Sequence, residues 1–427
     1  MKAGLLGRKL GHSLSPQIHR LFGDYDYRLY EREPEEVADF VRKGDLDFFN
    51  VTIPYKVDVF RLCDELSPLA QRLGNVNFVM RRTDGTLYGD NTDAYGVERL
   101  VAAVGADVKG RKCAILGAGG AAMTVKAVLE GLGASEARFV RRGELPEKEA
   151  SLIVNATPVG MFPDVDGVRI DIADYPACEF VPDLVYNPSP TRLVREALAC
   201  GKRAADGLVM LIAQAYRAFE LATGGGEDGR RKTGDDKDER RKTLSIKDDA
   251  IDQLSIANCR QSPSRPIEQS NNRTIEQSNL FLYGPPASGK STLGAKLAAA
   301  TGREWVDLDA AIVEKAGKTI PEIFASEGEP AFRRLEKDCL GELADRRGLI
   351  VSLGGGALLD AEARQIAESS GRVICLDCPL EVLLGRLSGA SRPLAADRER
   401  LKRLVETRSA HYASFPTRIS FNTVLRA

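Results

Sequence analysis

No stretch of this 427-residue chain approaches the ~20 continuous apolar residues that a membrane-spanning helix needs. The opening segment, MKAGLLGRKLGHSLSP, has neither a long apolar run nor a small-residue cleavage site, so a cytoplasmic location is expected. Excess charge is also missing. Sixty Lys and Arg stand against 61 Asp and Glu, a net charge of −1, which removes any general electrostatic reason to expect nucleic acid or an anionic membrane as a partner. The eight cysteines are scattered, which argues against a disulfide framework. Their one close pair, Cys375 and Cys378, closes the apolar run Val373–Leu376 before Pro379. Without a second ligand pair at suitable spacing it reads as the end of a buried strand rather than a zinc site.

What is present is ordinary in bulk, with 43% hydrophobic and 28% charged residues, and rich in one residue type, with 40 glycines. The length fits two or three domains. Apolar periodicity fails between Gly224 and Asn279, where Arg230–Thr233 recurs as Arg240–Thr243 and Ile267–Asn271 recurs as Ile275–Asn279. A segment with so little to bury cannot offset its ordering entropy, and residues 224–279 are expected to be a flexible linker. The stretches on either side are each long enough for a core of their own.

Before the linker, the strand-like run Arg111–Leu116 enters Gly117-Ala118-Gly119-Gly120-Ala121-Ala122 and then a helical pattern. Glycines there let backbone approach a pyrophosphate at a helix N-terminus, although a tight turn without ligand has the same pattern. About 20 residues on, the next strand ends in Arg141-Arg142. A ribose 2′-hydroxyl would favour Asp or Glu at that place; arginine suits a 2′-phosphate, so NADP(H) is favoured over NAD. Upstream lie three polar clusters, His12–Pro16, Asn50–Lys56 and Asn91–Gly96, each after a strand-like run and so expected at strand carboxyl ends. Any one of them alone reads better as a turn or a helix cap.

Taken with Gly74–Asn77, Asn155–Pro158, Asp183–Pro188 and Gly207–Gln214, these motifs from Leu5 to Gly224 resemble the shikimate dehydrogenase family. The resemblance implies NADPH-dependent reduction of 3-dehydroshikimate to shikimate. It makes Lys56 and Asp93 the catalytic pair and assigns the substrate to Ser13, Ser15, Thr52, Lys56, Asn77, Asp93, Tyr186 and Gln214. The cofactor falls to Gly117, Ala118, Gly119, Gly120, Ala121, Arg141, Arg142, Leu184 and Gly207.

After the linker, the apolar run Asn279–Tyr283 enters Gly284-Pro285-Pro286-Ala287-Ser288-Gly289-Lys290-Ser291-Thr292, a complete phosphate-binding P-loop. Backbone N–H groups cradle phosphates, Lys290 reaches the β- and γ-phosphates, and the Ser291 hydroxyl ligates Mg²⁺. Further on, Val306–Asp309 is expected to place two carboxylates on one side of a strand's end. Glu329, Arg333, Glu336, Gly354–Gly356, Arg392, Arg408 and Tyr412 supply further charges and a bare backbone. Singly, each charge reads as a solvated face. Together they resemble the shikimate kinases, from Leu280 to about Thr423. That resemblance implies ATP-dependent phosphorylation of the shikimate 3-hydroxyl. It places Asp309, Arg333, Gly355 and Arg408 on the substrate, and Ser291 and Asp307 on Mg²⁺. The nucleotide falls to Pro286, Ala287, Ser288, Gly289, Lys290, Ser291, Thr292 and Arg392. Asp309, Lys290 and Arg392 act in catalysis, with Arg392 in a lid of about 385–397.

The expected fold is α/β. A substrate-binding domain (1–100, with helix 208–223 packing back) and a Rossmann-type domain (101–223) precede the linker, and a parallel-sheet P-loop domain (280–427) follows it. The expected function is a two-activity enzyme of aromatic amino-acid biosynthesis acting on small molecules.

Overall fold

The computed structural model describes residues 1–11, 13–224, 278–385 and 398–420. The linker residues 225–277, His12, Arg392 and the 386–397 stretch of the expected lid lie outside them. Three sheets carry the architecture. The first contains β1 (Lys2–Gly7), β2 (Asp26–Glu31), β3 (Phe48–Val51), β4 (Glu65–Leu66), β5 (Phe78–Arg81) and β6 (Leu87–Asp90), in the order β2-β1-β3-β5-β6-β4. β1 runs parallel to β2 and β3, whereas β5 is antiparallel to both β3 and β6. Asn50 pairs with Phe78, and Phe78 with Asp90. The carboxyl ends of β3 and β6 and the start of β5 therefore meet at one edge.

The second sheet is wholly parallel. It contains β7 (Lys112–Leu116), β8 (Glu136–Val140), β9 (Leu152–Asn155), β10 (Phe180–Pro182) and β11 (Arg203–Ala205), in the order β11-β10-β9-β7-β8. Strand order reverses at β7, the position where a doubly wound sheet opens a crevice beyond its strand ends. The third sheet is also parallel. It contains β12 (Asn279–Tyr283), β13 (Trp305–Asp307), β14 (Ile350–Ser352), β15 (Gly371–Leu376) and β16 (Arg418–Ile419), in the order β13-β14-β12-β15-β16. Every residue of β12 is buried, as a central parallel strand covered on both faces requires. Cys375 is the buried penultimate residue of β15, and Cys378 is buried just beyond the strand.

Local chemistry sets the helix starts that matter for function. Asn91 accepts from the Ala94 N–H and caps helix Thr92–Ala103, which fixes Asp93 in its first turn. Asp307 caps helix Leu308–Ala316 in the same way, through the Asp309 N–H. The two carboxylates therefore do not alternate along a strand as expected; Asp307 ends β13 and Asp309 opens a helix.

The kinase-like part has a core of its own around Phe281, Ile312, Phe332 and Leu340. The expectation of wholly separate cores needs correction, however. One apolar cluster joins Ile18, Leu21, Val209, Ile212 and Tyr216 to Leu280, Leu293, Leu297 and Ile374. Sequence periodicity reports that a face is apolar, not which distant element covers it.

Candidate active sites

In the first half, the Lys56 ammonium pairs with Asp93 Oδ2. The other Asp93 oxygen accepts from Asn77 Nδ2 at 2.8 Å. Asn77 is itself held, because its Oδ1 accepts from the Thr92 N–H at 2.6 Å. The Lys56 and Asp93 side chains are 27% and 18% exposed, enough to meet a small molecule while most of the surrounding water is excluded. Ser13 and Ser15 bring their hydroxyl oxygens to within 3.2 Å of each other.

These groups form one wall of a cavity of about 480 Å³, together with Thr52. The facing wall comes from the second sheet's crevice and helix Leu208–Thr223: Ala121, Thr157, Leu184, Tyr186, Gly207, Met210, Leu211 and Gln214. Burial pushes the Tyr186 hydroxyl above its ordinary range, so it stays a neutral donor. Gly207 is where backbone approaches backbone: a Cβ there would lie 2.0 Å from the Leu184 carbonyl oxygen. Its own N–H donates to the Val185 carbonyl at 2.9 Å.

In the second half, β12 runs into the P-loop, and Gly289 caps helix Lys290–Thr301. Lys290 is buried, donating to the carbonyls of Gly284 at 2.9 Å and Pro285 at 2.8 Å. Ser291 Oγ donates to Asp307 Oδ2 at 2.7 Å. On the other side of the loop, Gly354–Gly356 is a bare shelf. A Cβ on Gly356 would lie 2.9 Å from Arg333 Nη2 and 3.1 Å from Arg408 Nη1. A Cβ on Gly354 would lie 2.8 Å from Glu336 Oε1 and 3.3 Å from Asp309 Oδ1. The Gly355 carbonyl accepts from Tyr412 Oη at 2.7 Å and Arg408 Nη1 at 3.2 Å. Burial pushes the Glu336 carboxyl above its usual range, and Arg333, 2.6 Å away, offsets only part of that.

Comparison with known proteins accords with both halves. A family model described as "Shikimate dehydrogenase substrate binding domain" matches residues 5–79, and one described as "Shikimate kinase" matches residues 286–424. A shikimate dehydrogenase (NADP(+)) of Clostridium perfringens is 33% identical over 249 residues, covering 52% of this chain and 92% of the relative. The enzyme of the same name from Methanopyrus kandleri is 39% identical over 260 residues, covering 52% and 89%. The chain belongs to the shikimate dehydrogenase family. A shikimate kinase domain is joined to it. Among solved structures, Thermus thermophilus shikimate 5-dehydrogenase, in complex with NADP(H) and shikimate, is 32% identical with a TM-score of 0.48, covering 52% of this chain and 94% of that one.

Within the dehydrogenase half, the structure brings Ser13, Ser15, Thr52, Lys56, Asn77, Asp93, Ala121, Leu184, Tyr186, Gly207 and Gln214 to one cavity. It does not bring Ala118, Gly119, Gly120, Arg141 or Arg142 there; all five are exposed, outside the cavity's lining. Gly117 is not in the lining either, but its Cβ position is 3.1 Å from Cγ2 of Thr157, which is. In the kinase half, Asp309, Arg333 and Arg408 converge on the glycine shelf, and Pro286 abuts it through Gly355. Ser288 is buried beside Lys290, while Thr292 is exposed one residue past Ser291.

Met210 and Leu211 were missed by reading motifs alone. A signal for them was available, because Gly207, Met210, Leu211 and Gln214 stand at i, i+3, i+4 and i+7, one face of a helix. Asn50 opens the Asn50–Lys56 cluster but was given no site role of its own. It lines the cavity and links Tyr27 Oη, at 2.9 Å, to the Asn77 carbonyl, at 3.3 Å. That link joins β2, β3 and the residue before β5, so no local pattern announces it.

Proposed function

We propose that this chain catalyses two consecutive reactions: NADPH-dependent reduction of 3-dehydroshikimate to shikimate, and Mg-ATP-dependent phosphorylation of the shikimate 3-hydroxyl. The observation that carries the reading is the Lys56–Asp93 ion pair on the wall of a cavity faced by Gly207, on a chain that also holds a complete P-loop.

The dehydrogenase residues fit their cofactor. Gly207 leaves backbone in place of a side chain against Leu184, and Arg141 and Arg142 stand exposed at the end of β8 with charge for a 2′-phosphate. NADPH, when bound, supplies the hydride to the substrate's carbonyl carbon. Lys56 donates a hydrogen bond to the carbonyl oxygen and delivers the proton that the resulting alkoxide needs. Asp93 orients that ammonium and accepts a hydrogen bond from a substrate hydroxyl. Ser13 and Ser15 donate to the substrate carboxylate, and Thr52, Asn77, Tyr186 and Gln214 hold its remaining oxygens.

The kinase residues likewise fit a hard cation, with the Ser291 hydroxyl and the Asp307 carboxylate 2.7 Å apart. Mg-ATP, when bound, supplies the γ-phosphoryl group. Lys290 turns from its loop carbonyls toward the β- and γ-phosphates. Arg333 and Arg408 hold the substrate carboxylate beside Gly355. Asp309 accepts the proton of the attacking hydroxyl. Arg392 completes the reading from outside the described residues.

Purified protein tests both halves at once. NADPH consumption dependent on 3-dehydroshikimate, and ADP release dependent on shikimate, are the expected results. Either activity missing from folded protein removes the corresponding half of the reading.

A further inference from the structure

The two catalytic halves are fastened together by more than residues 225–277. Helix Lys290–Thr301, which begins at the P-loop lysine, packs on helices Thr92–Ala103 and Leu208–Thr223 of the dehydrogenase. The Lys296 ammonium, six residues past Lys290, meets both oxygens of Asp206 at 2.8 Å. Asp206 is 1% exposed. It also accepts from Ser189 Oγ at 2.9 Å and from the Leu208 N–H at 3.1 Å, and so holds the turn on which Gly207 sits.

Two further links cross in opposite directions. Arg99 of the dehydrogenase donates to the Ala299 carbonyl at 2.8 Å, in the last turn of the P-loop helix. Arg372 of the kinase grips Asp24 at 2.5 and 2.9 Å and donates to the Arg20 carbonyl at 3.1 Å, in the last turn of helix Ser15–Phe22. Each half thus gives a guanidinium to a helix C-terminus of the other, where carbonyls lack partners within the helix and the helix dipole favours a cation. The cation that pairs with buried Asp206 belongs to the other catalytic half, and removing one partner of a buried ion pair is strongly destabilising.

We propose that the kinase half docks permanently on the dehydrogenase of its own chain, and that Lys296 is a positioning residue for the dehydrogenase, holding the Asp206–Leu208 turn through the Asp206 carboxylate. The docking stands on this geometry alone; its kinetic consequence rests on the dehydrogenase reading above.

A protease site inserted after Asn258 lets the folded full chain be cut between the halves. The fragments are expected to co-elute in size-exclusion chromatography, and elution as two separate species overturns the docking. In the uncut chain, Lys296→Met is expected to raise KM for NADPH about tenfold through misplacement of the turn. Kinase kcat and KM stay unchanged, and Lys296→Arg restores most of the loss. The double variant Lys296→Met/Asp206→Asn buries no unpaired charge, so it keeps the fold and shows the same rise. Unchanged NADPH kinetics, or a loss confined to a lowered Tm, overturns the positioning role. A parent protein with no NADPH-dependent activity removes the dehydrogenase reading instead, and co-elution still decides the docking.

Discussion

Single side chains carry the chemistry, and two of them give clear tests. Arg141 stands exposed just past β8, outside the cavity, and is the proposed partner of the cofactor's 2′-phosphate. On that proposal, Arg141→Asp replaces a charge-assisted contact, worth ~1.5–3 kcal/mol, with repulsion. The expected outcome is a rise of tenfold or more in KM for NADPH (about 1.4 kcal/mol) and a smaller effect on NADH. An unchanged NADPH/NADH ratio of kcat/KM places Arg141 outside the site. Asp183 is a different case. It is fully buried, with three donors from Asn155, Val185 and Thr191. Burial nevertheless lifts its carboxyl from 3.8 to about 6. Folding therefore favours its protonated form. The stabilisation from that form is complete below about pH 4 and is lost as pH rises through about 6, some ~3 kcal/mol in all. Asp183→Asn keeps the hydrogen bonds if the Thr191 hydroxyl turns to accept. Urea unfolding is then expected to show the variant more stable than the parent above pH 6, with the difference shrinking toward pH 4. A difference that does not change with pH would exclude Asp183 as its source.

At the level of elements, function depends on how close one backbone comes to another. Helix Leu208–Thr223 starts from a glycine whose Cβ position lies 2.0 Å from the Leu184 carbonyl, so Gly207→Ala must displace that helix or the β10 loop. Met210, Leu211 and Gln214 line the cavity from the same helix and would move with it. The expected result is a dehydrogenase kcat/KM lower by at least about 100-fold, with a lowered Tm. Retained kinetics in Gly207→Ala would show that the contact relaxes easily. The strand–turn–helix units around Gly117 and Gly284 were legible in the sequence because one local run of residues specifies each. The placement of Asp309 was not. Whether a residue two past a strand's last carboxylate continues the strand or opens a helix is decided by the cap, here the Asp309 N–H to Asp307 Oδ1 at 3.0 Å.

For the whole molecule, the question is how two chemistries share one body. Lys290 bonds within its own loop, and Lys56 within its own cavity, although one apolar cluster spans both halves. Lys290→Ala is therefore expected to abolish shikimate-dependent ADP formation and leave NADPH consumption within about twofold. Lys56→Met is expected to lower dehydrogenase kcat by roughly 10²–10⁴ and spare the kinase. Paired assays on each folded variant decide the point; both activities failing together in one of them would mean that the shared cluster transmits more than support.

The local motifs of each half were readable along the chain. Glycines, lysines and carboxylates of a phosphate loop or a strand-end cluster must stand close together along the chain to act together, so their spacing is readable. The sequence also showed that each half alternates strands and helices. Folding in three dimensions settled that Asn50 joins the cavity, that Asp307 and Asp309 divide between a strand and a helix, and that the P-loop helix lies on the dehydrogenase with Lys296 against Asp206. The reason is separation: Asp206 and Lys296 are 90 residues apart, and an apolar helix face states that it will be covered without stating by what.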